Sequence, residues 1–425
     1  MTSVSNNILT IIALLFCLLA GKNANAQVSR AFFDADGIQT VLFYPQKDMM
    51  SVPVVTLGAD EALSLQFDEL YGNTRTLMYQ FEHCDADWQK SNIIELDFIS
   101  GFNKFYEAET SRLSFNTTTD YVHYDMLIPT AELRISGNYI LRVFDATDEQ
   151  LLISRPFMVC ENTVGVTSRV VYDGRPGDAW QRLSFSVQHP AVKVSSASAE
   201  IKINVWQNMR MSEARQESVP TFVRNNELVY ENTDQLTFEA ANEGRWLDNR
   251  SLKYTMTGSA GISFHDPFYH YTLAPDGTPA GYYYHEDFNG FRYIEARDIH
   301  DDPRIAADYT LVHFTLPRPT DDADIYVYGE LTNWQLAQSN KMAYDAGLQQ
   351  YTLTLQLKQG LHNYQYMAVP HASHEPQLTL IENSFPETEN DYYIAVYYRS
   401  YSDTYDRLIG FKRHNSIKTI NSFVH

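Results

Sequence analysis

Apolar and polar residues alternate with a period of two along most of this chain. Successive side chains of a β-strand point to opposite faces of its sheet, so the pattern is typical of strands with one buried and one wet face. The alternation is clearest over residues 63–67, 77–82, 183–187, 201–205 and 351–357. Turn-forming residues separate these runs, and convincing amphipathic helices are absent. The sequence therefore predicts an all-β protein of two to three tandem antiparallel β-sandwich modules, immunoglobulin-like or early-set-like.

The length and the positions of linker-like segments divide the chain. A chain of 425 residues exceeds one ordinary hydrophobic core. A strand at 139–145 and the segment 152–159 end the first module, and the charged stretch 297–304 is typical of a linker. We expect a signal peptide at 1–26, an N-terminal β-sandwich at 27–161, a middle β-sandwich at 162–303 and a C-terminal early-set-like β-sandwich at 304–425.

The N-terminus predicts export. Residues 8–20 form an apolar run of signal-peptide length, and residues 24–26 read Ala-Asn-Ala, a cleavage pattern that would place Gln27 at the mature N-terminus. Phe16 precedes Cys17, whereas lipoprotein processing needs a small residue before the modified cysteine. We therefore expect a periplasmic protein with no lipid anchor and no transmembrane segment.

Charge and cysteine content narrow the partners and the covalent framework. The chain has 32 Lys and Arg against 53 Asp and Glu, a formal net charge of −21. Binding to nucleic acid needs clustered basic residues, so this class of partner is excluded. Cys84 and Cys160 are the cysteines of the expected mature chain. An oxidising compartment allows a disulfide, but two separate buried thiols are favoured.

Motifs for catalysis are missing from the sequence. It contains no G-x-S-x-G elbow, no H-E-x-x-H pair and no glycine-rich phosphate loop. The densest polar run, residues 83–88, offers imidazole, thiolate and carboxylate groups. Successive strand residues diverge, however, and metal ligands must converge. We expect no enzyme activity, no cofactor and no metal.

Aromatic and arginine side chains are the candidates for contact with a partner, because Trp, Tyr and Arg are enriched in interface hot spots. Arg245 and Trp246 lie in a polar-aromatic cluster that is equally consistent with a recognition surface and with a structural clasp. Tyrosine runs at 282–284 and 397–398 are consistent with anchors or with strand packing. The candidate protein or glycan contacts are Trp88, Arg245, Trp246, Tyr283, Trp334 and Tyr397.

The C-terminal region suggests a second function. Residues 326–334, with the strand 351–357 and the aromatic strand 360–366, resemble the early-set sandwich of glycogen- and starch-binding modules. In that arrangement an exposed Trp334 stacks on a sugar. A glycan-binding surface or periplasmic module of early-set type is therefore the alternative function.

Short runs spread over the whole chain resemble the Bacteroidota type IX secretion system plug protein family, formerly a domain of unknown function. The order and spacing of the runs carry the resemblance, which covers essentially the full expected mature length. Cys160, where an aliphatic residue is expected, and an unusual signal-peptide start are the departures. The runs are His-Cys-Asp-Ala-Asp-Trp at 83–88, Ser-Phe-Asn-Thr at 114–117, Ser-Gly-Asn-Tyr at 136–139, Asp-Phe-Asn-Gly at 287–290, Glu-Thr-Glu-Asn-Asp-Tyr at 387–392 and Leu-Ile-Gly at 408–410.

The resemblance implies a non-catalytic plug or accessory subunit on the periplasmic side of the outer membrane. Such a protein binds and closes the outer-membrane translocon barrel of the type IX secretion system while no cargo occupies it. Secreted cargo of the same system is the third hypothesis. Residues 415–425 do not resemble the C-terminal sorting signal that cargo carries.

Overall fold

The structure is a computed structural model that describes residues 31–107, 111–172, 179–320 and 322–417. The predicted signal peptide at 1–26 lies outside these residues. Strands hold 48% and helices 7% of these residues, which confirms the all-β prediction. The α-helices of the described residues are single turns, α1 (Glu95–Phe98), α2 (Ala197–Glu200), α3 (Pro303–Ala306) and α4 (Thr379–Glu382), and the 3-10 turns are Met211–Glu213, Asp234–Leu236, Glu330–Thr332 and Gln338–Asn340.

The first sandwich contains ten strands in two sheets. One sheet has the order β1-β10-β9-β5-β6, with β3 parallel to β10, and the other has the order β2-β4-β8-β7. Alternate residues such as Leu65, Phe67 and Leu141 fill the space between the sheets. The strands are β1 (Phe33–Asp34), β2 (Ile38–Pro45), β3 (Val54–Thr56), β4 (Ala62–Leu70), β5 (Leu77–Cys84), β6 (Phe105–Glu107), β7 (Ser111–Leu113), β8 (Tyr121–Pro129), β9 (Gly137–Asp145) and β10 (Leu151–Cys160).

The second sandwich combines a central stretch of the chain with its last two strands. One sheet has the order β11-β12-β16-β15, with β17 paired to β12, and faces a sheet with the order β14-β13-β27-β28. Its strands are β11 (Gly165–Val171), β12 (Trp180–Gln188), β13 (Ile201–Gln207), β14 (Arg215–Glu217), β15 (Phe222–Arg224), β16 (Glu227–Tyr230), β17 (Thr237–Glu239), β27 (Asp391–Tyr398) and β28 (Arg407–Asn415).

The third sandwich is formed by the stretch of sequence between β17 and β27 of the second. A sheet with the order β18-β26-β21, with β23 also paired to β26, packs on a sheet with the order β19-β20-β22-β25-β24. Its strands are β18 (Arg245–Asp248), β19 (Ser259–His265), β20 (Phe268–Leu273), β21 (Arg292–Ile294), β22 (Tyr309–Pro317), β23 (Ala323–Tyr328), β24 (Ala343–Asp345), β25 (Gln350–Lys358) and β26 (Gly360–Pro370).

The strand pairing differs from the contiguous boundaries expected at 162–303 and 304–425. Strand β27 pairs antiparallel with β13 from Ile201 opposite Tyr398 to Gln207 opposite Tyr392, so the chain returns to the second sandwich after completing the third. Every residue of β27 is buried. A strand with both faces covered belongs at the centre of a sheet between two cores, which is where β27 lies.

The three sandwiches meet through buried joints. Outer faces of the first and second pack together through apolar residues, including Cys84, Cys160 and Trp206. Both cysteines are free and buried, which confirms the favoured prediction of two separate thiols. The first and third sandwiches meet through a buried ion pair between Asp68 and Lys358, whose Oδ2 and Nζ atoms are 2.6 Å apart.

Candidate functional site

Two of the predicted contact residues, Trp88 and Tyr397, are buried in the joint between the first and second sandwiches. The Tyr397 hydroxyl donates to Asn138 Oδ1 over 2.7 Å, which ties β27 to β9. Their prediction as surface contacts is corrected, because a partner has no access to buried side chains. The tyrosine run at 397–398 was consistent with strand packing, but nothing in the sequence indicated that both faces of β27 are covered.

Arg245 and Trp246 form a structural clasp within the third sandwich. The Arg245 guanidinium bonds Glu382 over 2.7 Å and Asp276 over 3.1 Å. Trp246 Nε1 donates to the Glu286 carbonyl oxygen over 3.1 Å, and its ring meets Phe288 edge to face. Of the two interpretations left open by the sequence, this geometry favours the clasp.

Trp334 is half-buried at the junction of the sandwiches. Its ring lies against Gly290 and meets Tyr328 edge to face with 5.1 Å between ring centroids. The same ring borders a cleft of about 1190 Å³ between the second and third sandwiches. Arginine and apolar side chains share this cleft, among them Arg210, Arg215 and Leu336. The cleft is a concave candidate for binding, and Trp334 is the predicted contact residue that lines it.

Tyr283 is the predicted contact that the structure leaves well exposed, at 80%. Its neighbours are held: the Tyr282 hydroxyl donates to Glu243 over 2.7 Å, and the Tyr284 hydroxyl donates to Glu389 over 3.2 Å. Burial raises the pKa of Glu243 to about 7. Tyr283 is therefore presented to solvent on a fixed segment.

Sequence reasoning missed a second exposed surface, on the loop between β5 and β6. Ile94, Leu96 and Phe102 point into solvent there. These residues are not part of an alternating run, so a search for period-two alternation does not single them out. Several large apolar side chains within one irregular segment were the signal that could have found them.

No group of three or more His, Cys, Asp and Glu side chains is arranged to hold a metal ion among the described residues. Two histidines do meet, His270 and His313, which stack with their Nδ1 and Nε2 atoms 2.8 Å apart. Within the same residues, helices of the length and apolarity needed to cross a membrane are not found.

Comparison with known proteins identifies the family. Residues 38–161 match the family model described as the type 9 secretion system plug protein 1st domain. The chain belongs to the type IX secretion system plug family. The match begins at the first residue of β2 and ends one position after β10, so it contains nine of the ten strands of the first sandwich and the exposed loop between β5 and β6.

A solved structure of similar fold extends the likeness beyond the plug domain. It is the crystal structure of a hypothetical protein from Parabacteroides merdae, 33% identical to this chain. The match covers 90% of this chain and 99% of that one, with a TM-score of 0.85. The comparison with curated proteins finds no match. Plug-family proteins are non-catalytic and associated with the secretion machinery of the cell envelope.

Proposed function

We propose that this protein is a non-catalytic periplasmic plug that binds and closes the outer-membrane translocon barrel of the type IX secretion system. The match of residues 38–161 to the plug domain carries the proposal. Those residues form nine strands in two sheets with their own core. The part of the chain that matches the plug domain is therefore a folded module.

The joints between the sandwiches suit a body that must hold its shape against a pore. At the joint of the first and third sandwiches, Asp68 and Lys358 are each 1% exposed. Backbone amides of Thr118 and Thr119 also donate to Asp308 across this joint, over 2.8 and 3.1 Å. Such contacts resist sliding of the sandwiches past one another, because a shift of the joint would leave buried charged groups without partners.

The acidity of the chain indicates the charge of a partner surface and the salt dependence of its association. A formal net charge of −21 attracts basic groups on a partner over distances set by ionic screening. Association with the translocon should therefore slow as salt rises, while the dissociation rate changes less.

Co-purification tests the proposal directly. The tagged protein is isolated from solubilised outer membranes, and the translocon barrel should be recovered with it. A deletion strain should admit large hydrophilic molecules that the intact outer membrane excludes, and re-expression of the protein should restore the barrier. Normal permeability in the deletion strain together with a barrel that purifies without this protein would contradict the proposal.

Glycan binding is the second candidate function, and one observation favours it: Trp334 borders the large cleft. Against it, Gly290 covers part of the ring that would stack on a sugar. Retention of wild-type protein on a panel of polysaccharides, lost in Trp334→Ala, would support it. Absence of retention by the wild type excludes it.

A further inference from the structure

The loop of residues 92–104, here named the apolar loop, exposes large apolar side chains at the end of the first sandwich. Ile94 is 65% exposed, Leu96 66% and Phe102 92%. Single exposed apolar residues are common on protein surfaces, whereas several on one short segment mark an interaction site.

The backbone of the apolar loop is held in place from both sides. Asn103 is buried, and its amide Nδ2 donates to the Phe81 carbonyl oxygen over 2.7 Å while its Oδ1 accepts from the Phe81 amide over 2.9 Å. On the other side, the Arg134 amide donates to the Phe98 carbonyl oxygen over 2.9 Å. Phe98 and Ile99 anchor the loop in the core. A fixed loop binds without an ordering cost, which is how preorganised interaction sites gain affinity.

Charges beside the apolar loop identify its partner. Glu95 and Asp97 are exposed within it, and Glu132 lies against it through a 2.8 Å bond from the Ser100 amide to its carbonyl oxygen. Two cations face these groups: Lys104, within the loop, pairs with Glu149 over 3.1 Å, and the Arg134 guanidinium donates to the Leu96 carbonyl oxygen over 3.1 Å. Acidic groups around the apolar side chains oppose binding to anionic lipid and favour a protein surface that bears basic groups.

We propose that the apolar loop inserts Ile94, Leu96 and Phe102 into an apolar recess bordered by lysine or arginine side chains on a protein partner. The inference rests on the proposed function, under which that partner is the translocon barrel. It adds the surface of the plug domain that makes the contact and the chemistry of the surface that receives it. One aromatic and two aliphatic side chains among polar neighbours match the composition of an interface anchor within a polar rim.

The test compares two triple variants of the full chain. Ile94→Ser, Leu96→Ser and Phe102→Ser are combined in the loop variant. The control variant combines Val219→Ser, Phe222→Ser and Val223→Ser, which are 60%, 51% and 68% exposed on the second sandwich. Both sets are exposed, so both variants should keep the melting temperature of the wild type to within about 2–3 °C.

Binding to the purified barrel is measured for the wild type and both variants. The loop variant should bind about 100-fold more weakly, because it loses three anchors, and the control variant should bind like the wild type. Unchanged binding by the loop variant would overturn the loop proposal while leaving the plug function standing. Absence of binding by the wild type would overturn the plug function and with it this partner.

Two further measurements separate other occupants of the loop. Vesicles of phosphatidylethanolamine and phosphatidylglycerol should not retain the wild type; retention that the loop variant loses would make lipid the occupant and overturn the proposal. Analytical ultracentrifugation should give the same oligomeric state for the wild type and the loop variant. A wild-type oligomer that the loop variant dissociates would assign the loop to a second copy of this chain and overturn the proposal.

Discussion

Replacing Lys358 by Met should strongly destabilise the protein. Lys358 Nζ lies 2.6 Å from Asp68 Oδ2 and also donates to the Arg304 carbonyl oxygen over 2.6 Å. It sits 4.1 Å from the centre of the Tyr121 ring. Burial alone would raise the pKa of Asp68, but Lys358 and His123 outweigh it and hold that pKa below its usual value. Asp68 is therefore a buried carboxylate that depends on Lys358.

The size of the effect follows from the burial of both groups. Removing one member of a buried ion pair leaves an uncompensated charge, at a cost of about 3–5 kcal/mol. Lys358→Met should lower the free energy of unfolding by this amount at pH 7. Combining it with Asp68→Asn removes the stranded charge, and the amide oxygen of the new side chain can still accept from the Tyr309 hydroxyl, which in the wild type donates over 2.6 Å to Asp68. The double variant should recover most of the loss.

Urea unfolding followed by tryptophan fluorescence measures these free energies. Lys104→Met is the matched control, because Lys104 pairs with Glu149 at the surface and its loss should leave the free energy of unfolding close to that of the wild type. A loss below about 1 kcal/mol for Lys358→Met as well, or a double variant less stable than the single one, would refute the reasoning that this joint depends on a desolvated charge pair.

Three further predictions concern buried groups. Burial raises the pKa of Glu243 to about 7. Between pH 4.5 and 7 the folded protein therefore keeps a proton on Glu243 that the unfolded chain, with the ordinary pKa of 4.5, has lost. The free energy of unfolding should therefore fall as pH rises from about 4.5 to 7. Glu243→Gln should remove up to about 3 kcal/mol of this fall, as measured by urea titrations at pH 5 and 8. An unchanged pH dependence in the variant would contradict the prediction. Burial raises the pKa of the Cys84 and Cys160 thiols, that of Cys160 to about 12. Iodoacetamide should therefore label both cysteines only in denaturant, as measured by mass spectrometry. Labelling of the native protein, or a disulfide between the two, would argue against the structure. Gly290 has a φ of +98° and no room for a Cβ beside Trp334, so Gly290→Ala should lower the free energy of unfolding by about 2–4 kcal/mol in urea. Gly277 has open space around it, and Gly277→Ala should cost less than about 1 kcal/mol. Equal losses would refute the packing argument.

The fold class was predictable from the sequence because alternation is a local property. The runs 183–187 and 351–357 fall inside β12 and β25, as the pattern predicts. The pairing of β13 with β27 was not predictable in the same way. It joins residues almost 200 positions apart, and alternation along each strand does not say which strand lies beside it.

The contact residues were less predictable because exposure depends on neighbouring sandwiches. Trp88 has the composition of an anchor, but the second sandwich covers it. Phe102 is exposed because Asn103 and its bonds to Phe81 fix the direction of the loop, a tertiary effect that no periodicity records. Aromatic content therefore indicated how much hydrophobic surface the chain carries and not where that surface lies.

Conductance of the purified translocon barrel in a planar lipid bilayer tests the central claim most directly. Addition of this protein to the side that corresponds to the periplasm should reduce the conductance in a concentration-dependent way. The block should weaken as salt rises, since steering of an acidic protein is screened. A conductance that stays unchanged at saturating protein, with folded protein confirmed in the chamber, would contradict the plug account.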